Sequence, residues 1–242
     1  EVVLITGASR GIGAACARLF AEHGYRVAVN YAQDERAANE VVGSITDAGG
    51  EAVAIRANVA DPAQVRGMFE TLDVAYGPLD VLVNNAGVSG PRCRIEELEL
   101  DDLRDMLATN VIGPVACAQA AITRMSTRHG GKGGAIINVS SGSAYIGNPG
   151  SGVHYAITKG ALNSFNIGAS QELVAEGIRV NAVAPGMTET DMVAQLPAQV
   201  FQQLPMNRAA KPVEIAQAIY WLATANASYV AGANIRVGGG RP

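Results

Sequence analysis

The chain has 242 residues, of which 48% are hydrophobic and 17% charged, with a formal net charge of −4. That length and composition suit one compact α/β domain with a core large enough to need no staples, and they exclude a disordered chain. The mild acidity gives no electrostatic reason to bind nucleic acid or an anionic membrane, and no apolar run is long enough to suggest a bilayer span.

Short β-branched runs alternate with longer amphipathic ones. VVLIT (2–6) predicts a strand, followed by a helix from Ile12 to His23. RVAVNY (26–31) predicts a second strand, with a helix from Glu35 to Ala48 ended by Gly49 and Gly50. EAVAIRANV (51–59) is a third strand, and Pro62 to Tyr76 a helix with Asp61 as its N-cap. LDVLVNN (79–85) is a fourth strand, followed by mostly helical chain from Leu100 to Arg128. AIINVSS (135–141) and a helix from His154 to Glu176 come next. IRVNAVAP (178–185), a helix from Pro212 to Ala223 and ANIRV (233–237) complete the pattern. Such alternation predicts a doubly wound Rossmann fold: one domain over 1–242, with seven parallel strands and helices on both faces. The rhythm breaks between 186 and 211, an irregular, methionine-containing stretch that follows a strand's carboxyl end. Ligands bind at that edge in open α/β sheets, so 187–207 is expected to be a substrate loop acting as a lid.

Cys16, Cys93 and Cys117 are scattered without CxxC spacing, which points to reduced thiols in a cytoplasmic protein and gives no metal site. His23, His129 and His154 are isolated too, and surface or helix-end places are expected for them. No signal peptide is visible at Glu1.

TGASRGIG (6–13) lies between the first strand and the first helix. Gly7, Gly11 and Gly13 let the backbone turn tightly and approach a pyrophosphate, while the helix N-terminus behind them offers free N–H groups. Further on come NNAG (84–87), ATNV around Asn110, NVSS ending in Ser141, YAITK carrying Tyr155 and Lys159, and the pair Pro185-Gly186. In that order and context, these motifs resemble those of the short-chain dehydrogenase/reductase (SDR) family over essentially the whole chain, with similarity to 3-oxoacyl-acyl carrier protein reductase-like and glucose dehydrogenase-like members.

The resemblance implies an oxidoreductase interconverting a carbonyl and an alcohol by hydride transfer. Ser9, Arg10, Gly11 and Ile12 would line the cofactor phosphates, Asn58 and Val59 would flank the adenine, and Asn85, Ala86 and Gly87 would pass beneath the ribose toward the nicotinamide. Pro185 and Gly186 form the turn before the substrate loop, and Thr188 and Thr190 would meet the carboxamide. The second strand ends in Asn30-Tyr31 without the carboxylate that bonds the 2′-hydroxyl of NAD, and Arg10 sits in the glycine turn. A guanidinium binds a 2′-phosphate strongly, so NADP is favoured and NAD is the second choice.

Tyr155 and Lys159 lie one helical turn apart. A phenol can protonate the alkoxide left by hydride transfer, and a neighbouring ammonium would lower its pKa for the reverse reaction. The resemblance makes Tyr155 the acid/base, Lys159 its tuner and the holder of the nicotinamide ribose, Ser141 the partner of the substrate oxygen, and Asn110 the holder of a relay water. Ser141 lies one residue further from Tyr155 than in many relatives, which an insertion in the loop 147–152 explains; Ser140 and Ser143 are the alternatives.

Several functions stay open. The substrate is a small free carbonyl, alcohol or sugar, or else a 3-oxoacyl chain on acyl carrier protein, which the basic group Arg124, Arg128, His129 and Lys132 would attract and Glu176 would oppose. A different class is a non-catalytic dinucleotide sensor. A homotetramer or homodimer is expected by resemblance.

Overall fold

The computed structural model describes residues 1–194 and 197–241. Seven strands form one sheet in the order β3-β2-β1-β4-β5-β6-β7. They are β1 (Val2–Ile5), β2 (Arg26–Tyr31), β3 (Glu51–Arg56), β4 (Val81–Asn84), β5 (Gly134–Val139), β6 (Ile178–Pro185) and β7 (Asn234–Val237), and every pairing is parallel. The order reverses between β1, which pairs Ile5 with Val29 of β2, and β4, which pairs Val83 with Ile5. That switch point opens the crevice in which the site lies.

The helices are α1 (Gly11–Glu22), α2 (Glu35–Asp47), α3 (Pro62–Tyr76), α4 (Leu100–Leu107), α5 (Gly113–Met125), α6 (Ser143–Ile146), α7 (Val153–Leu173), α8 (Ala198–Gln202) and α9 (Pro212–Ala223). Strand side chains alternate between two apolar layers, as the pleat requires. Val3 and Ile5 join the layer that holds Phe20 of α1 and Ile219 of α9. Val2 and Leu4 join the layer that holds Phe69 of α3 and Met125 of α5. Both faces are therefore covered, which explains why β1 and β4 read as unbroken apolar runs.

Several elements differ from the sequence expectation. β3 stops at Arg56, because residues 57–59 turn toward α3. The long run after β4 is broken by a π-helical turn at Ala108–Ile112, between α4 and α5. By length and composition Leu100–Met125 could cross a membrane, contrary to expectation, yet Met106, Cys117, Ala121 and Met125 are fully buried in the protein. α6 and α8 were not foreseen. The base of the loop after β6 is pinched shut: Ala210 N donates to the Met187 carbonyl and Glu189 N to the Ala210 carbonyl, both at 2.9 Å. Gln195 and Leu196 of the expected lid lie outside the described residues.

Candidate active site

A cleft of about 910 Å³ runs along the carboxyl edge of the sheet. Its floor is the turn between β1 and α1. Gly7 has φ of 60°, a conformation that glycine adopts freely, and a Cβ there would stand 2.9 Å from Ala86 Cα. The hydroxyl of Thr6 accepts from Asn85 N and Ala86 N, both at 3.0 Å, and Asn85 Nδ2 donates to the carbonyls of Thr6 and Gly7 at 2.8 and 3.0 Å. The NNAG segment is thus fastened to the glycine turn. Gly13 does not border the cleft. A Cβ there would lie 2.5 Å from Gly7 O and 2.6 Å from Asn85 Nδ2, so this glycine lets α1 close onto the turn. The first N–H groups of α1 face the cleft without helical acceptors, which makes the turn a ready anion cradle.

Ser9, Arg10, Gly11, Ile12, Asn58, Val59, Ala86 and Gly87 all border the cleft, as expected from the sequence. Asn30 differs. It borders the cleft but is only 1% exposed, and its amide is spent inside: Nδ2 donates to Ile55 O and Ala57 O, and Oδ1 accepts from Gly7 N. It fastens the glycine turn to β2 and β3 and leaves little to offer a ribose. Arg10, in turn, is half exposed but not unpaired. Its guanidinium meets Asp34 at 2.8 Å and Asp191 at 3.1 Å.

At the other end, α7 carries Tyr155 and Lys159 on one face and β5 leads into Ser140 and Ser141. Ser141 Oγ accepts from Ser143 N at 3.1 Å. Burial holds the Tyr155 phenol above its ordinary pKa, and the neighbouring Ser141 hydroxyl brings it part of the way back. The lysine is 3% exposed, its Nζ donates to Val139 O at 2.8 Å, and it lies 5.7 Å from the centroid of the Tyr155 ring. Burial depresses the pKa of its ammonium to about 8.

The geometry separates the three serines. Ser140 Oγ donates to Asn163 Oδ1 at 2.6 Å, and Ser143 Oγ accepts from Asn148 Nδ2 at 2.8 Å. Of the three, Ser141 is the one whose hydroxyl lowers the pKa of the Tyr155 phenol. Asn110 sits sealed in the π-helical turn, 0% exposed and away from the cleft. Its two amide N–H groups are spent on Val88 O at 2.8 Å and Thr158 Oγ1 at 3.0 Å, and its Oδ1 accepts from Val88 N at 2.8 Å. Its side chain therefore positions the strand end beside Gly87 and has no N–H left for a relay water.

Pro185, Gly186, Thr188 and Thr190 border the cleft on the loop side. Thr188 Oγ1 donates to Gly186 O at 3.1 Å and Thr190 Oγ1 to Thr188 O at 3.3 Å, so both threonines are fixed to their own turn. Local sequence patterns gave no warning of Asp191, whose partner Arg10 is remote in the chain, or of His154. That histidine lies in the first turn of α7, is 1% exposed, and neither ring nitrogen has a hydrogen-bond partner among the described residues. Cys16 and Cys117 are buried, and burial pushes both thiols up, Cys117 to about 12, so they are inert core residues.

Comparison with known proteins agrees with this geometry. The family model described as enoyl-(acyl carrier protein) reductase matches residues 7–241. The uncharacterized oxidoreductase YgfF of Escherichia coli (strain K12) is 45% identical over 99% of this chain and 99% of its own. The 3-oxoacyl-[acyl-carrier-protein] reductase FabG of Staphylococcus aureus is 42% identical over 98% of this chain and 96% of its own. Among solved structures, the angucycline C-6 ketoreductase LanV with bound NADP superimposes with a TM-score of 0.91 at 37% identity, covering 99% of this chain and 95% of that one. The chain belongs to the short-chain dehydrogenase/reductase family. It is an NAD(P)-dependent oxidoreductase with a seven-stranded Rossmann fold.

Proposed function

We propose that the protein reduces a small free carbonyl compound to its alcohol with NADPH, and oxidises the alcohol in the reverse direction, in the cytoplasm. The observation that carries this reading is the convergence of Ser141, Tyr155 and Lys159 on the same cleft as the glycine turn. The cradle fits a dinucleotide, since a side chain at Gly7 would collide with Ala86. Bound NADPH supplies the hydride. Arg10 and the first turn of α1 would hold the phosphates, and Asn58, which borders the cleft, would offer its amide to the adenine. Lys159 holds the ribose hydroxyls. Ser141 donates to the substrate oxygen, and Tyr155 passes its phenolic proton to that oxygen as the alkoxide forms. The bound NADP of LanV, a ketoreductase of this family, supports both the cofactor and the direction.

The second reading is reduction of 3-oxoacyl chains on acyl carrier protein, favoured by the similarity to the Staphylococcus aureus reductase. The surface argues for ranking it second. Arg124 is clamped by Asp73, with Nη2 at 2.6 Å, and Arg128 faces Glu176 at 3.8 Å, so half of the candidate basic rim is already neutralised. NADPH consumption measured against ketones, aldehydes, diketones and 3-oxoacyl thioesters, with alcohol and sugar oxidation in parallel, tests both readings. Turnover of small ketones is the expected result, and tight NADPH binding with no turnover at all would instead favour a sensor. With an active substrate in hand, Ser141→Ala is expected to cut turnover by about 10²–10³, the worth of one donor to a developing oxyanion. Ser140→Ala and Ser143→Ala are expected to stay near wild type, because Asn163 Oδ1 keeps a donor in Asn234 Nδ2. Equal losses in all three would break the assignment.

Self-association is part of this reading. α7 exposes Ile157 (48%) and Ile167 (54%), with Leu100 and Ile112 exposed on the neighbouring helical run. A face of that kind is suited to helix pairing between copies. Sedimentation is expected to give a dimer or tetramer of the 25.0 kDa chain, and Ile167→Arg to shift it toward smaller species. A wild-type monomer would rule this out.

A further inference from the structure

The guanidinium on which NADPH recognition leans is already engaged, by carboxylates from two distant parts of the chain. Asp34 follows β2 and caps α2: its Oδ1 accepts from Ala37 N at 3.0 Å while its Oδ2 meets Arg10 Nη2 at 2.8 Å. Asp34 is thereby fixed from both sides. Asp191 belongs to the loop after β6, its side chain is 74% exposed, and among the described residues its carboxylate meets Arg10 alone, at 3.1 Å. The neighbouring Thr190 lies against the same turn, with its methyl group 3.0 Å from where a Cβ on Gly11 would stand. All four residues border the cleft. The loop therefore closes across the mouth of the cleft onto the glycine turn, and the Arg10–Asp191 pair is its fastening.

A 2′-phosphate carries almost two negative charges and competes with carboxylates for the N–H groups of a guanidinium. Two like-charged groups cannot share it without repulsion. We infer that Asp191 is a specificity-determining latch: it competes with the 2′-phosphate of NADPH for Arg10, whereas NADH, with only a hydroxyl there, leaves the latch closed. The inference rests on the reading of Arg10 as the partner of the 2′-phosphate. It makes the loop sensitive to which dinucleotide is bound. NADPH trades the Asp191 pair for its own and releases the loop, while Asp34 stays behind as a standing penalty on the phosphate.

The test is the dissociation constants of NADPH and NADH, measured by calorimetry on wild type, Asp191→Asn, Arg10→Ala and the double variant. Asp191→Asn is expected to tighten NADPH by about threefold to tenfold, a screened ion pair plus the removal of a like charge, and to move NADH by less than about twofold. The gain should shrink at about 0.5 M salt and vanish in the Arg10→Ala background, since both effects run through one guanidinium. An unchanged ratio of NADPH to NADH affinity in Asp191→Asn overturns the latch. If Arg10→Ala leaves NADPH binding intact, the underlying assignment of Arg10 fails instead, and the latch with it.

Discussion

Tyr155→Phe is expected to lower turnover by about two to four orders of magnitude, the usual worth of a positioned acid or base. The substitution keeps the ring and its packing and deletes only the hydroxyl. The hydroxyl of Ser141 would remain, but its reference pKa is far higher than a phenol's and it cannot replace the acid. NADPH affinity is expected to survive, because the glycine turn lies at the other end of the cleft. The pH dependence provides a second readout. Burial raises the phenol's pKa, so in the alcohol-oxidising direction, which needs the phenolate, the wild-type rate should climb through and above neutrality. In Tyr155→Phe that climb should be lost. Turnover of the variant within tenfold of wild type on a confirmed substrate would mean that the proton travels another way.

Lys159→Met is expected to damage turnover by about 10²–10³ and cofactor affinity by about tenfold or more, as for hydrogen bonds to a charged group. The double loss separates it from Tyr155→Phe. Misfolding is not the expected cause. The buried ammonium has one hydrogen-bond partner, the Val139 carbonyl, and no carboxylate within ion-pair distance among the described residues, so an apolar side chain of similar length should fold at least as well. The lysine itself should be visible in the stability of the cofactor-free protein. Its folded pKa of about 8 lies below the unfolded 10.5, so the unfolded chain binds the extra proton between those values. Stability of wild type relative to Lys159→Met should therefore rise with pH across that window, by on the order of 3 kcal/mol in all. A flat difference in chemical denaturation from pH 7.5 to 10 would show that the charge is solvated or paired in solution. A variant that lost turnover but bound cofactor normally would remove the lysine from the ribose.

The sheet was legible because parallel strands covered on both faces leave a plain trace, as VVLI and VLVN do, and because Asp61-Pro62 announces a helix start in the letters themselves. α6 and α8, at four and five residues, are too short to show any apolar period. The π-helical turn at ATNVI has no residue that marks it in the letters. Asn30 stands at the strand end that the sequence indicates, but its partners are not legible there. A short amide there reaches main-chain groups of the adjacent strand and the glycine turn, which spacing along the chain cannot reveal. Asp34 lies three residues beyond the strand, yet its place as the N-cap of α2 brings it back to Arg10 of the turn. Ser141 was chosen over its neighbours by motif alone. What distinguishes it in space is its nearness to the Tyr155 phenol, whose pKa its hydroxyl lowers.

The pinch at Met187, Glu189 and Ala210 has a consequence for how such a chain can diverge. Chain inserted or deleted beyond a closed base costs little: doubling the length of a flexible loop adds only about 0.6 kcal/mol of closure entropy. The groups proposed to do the chemistry stand on α7 and just after β5, outside the stretch between Thr190 and Ala209. A duplicated copy could therefore exchange that whole stretch for one of another length and polarity, and acquire a different pocket wall, while Ser141, Tyr155 and Lys159 stayed where they are.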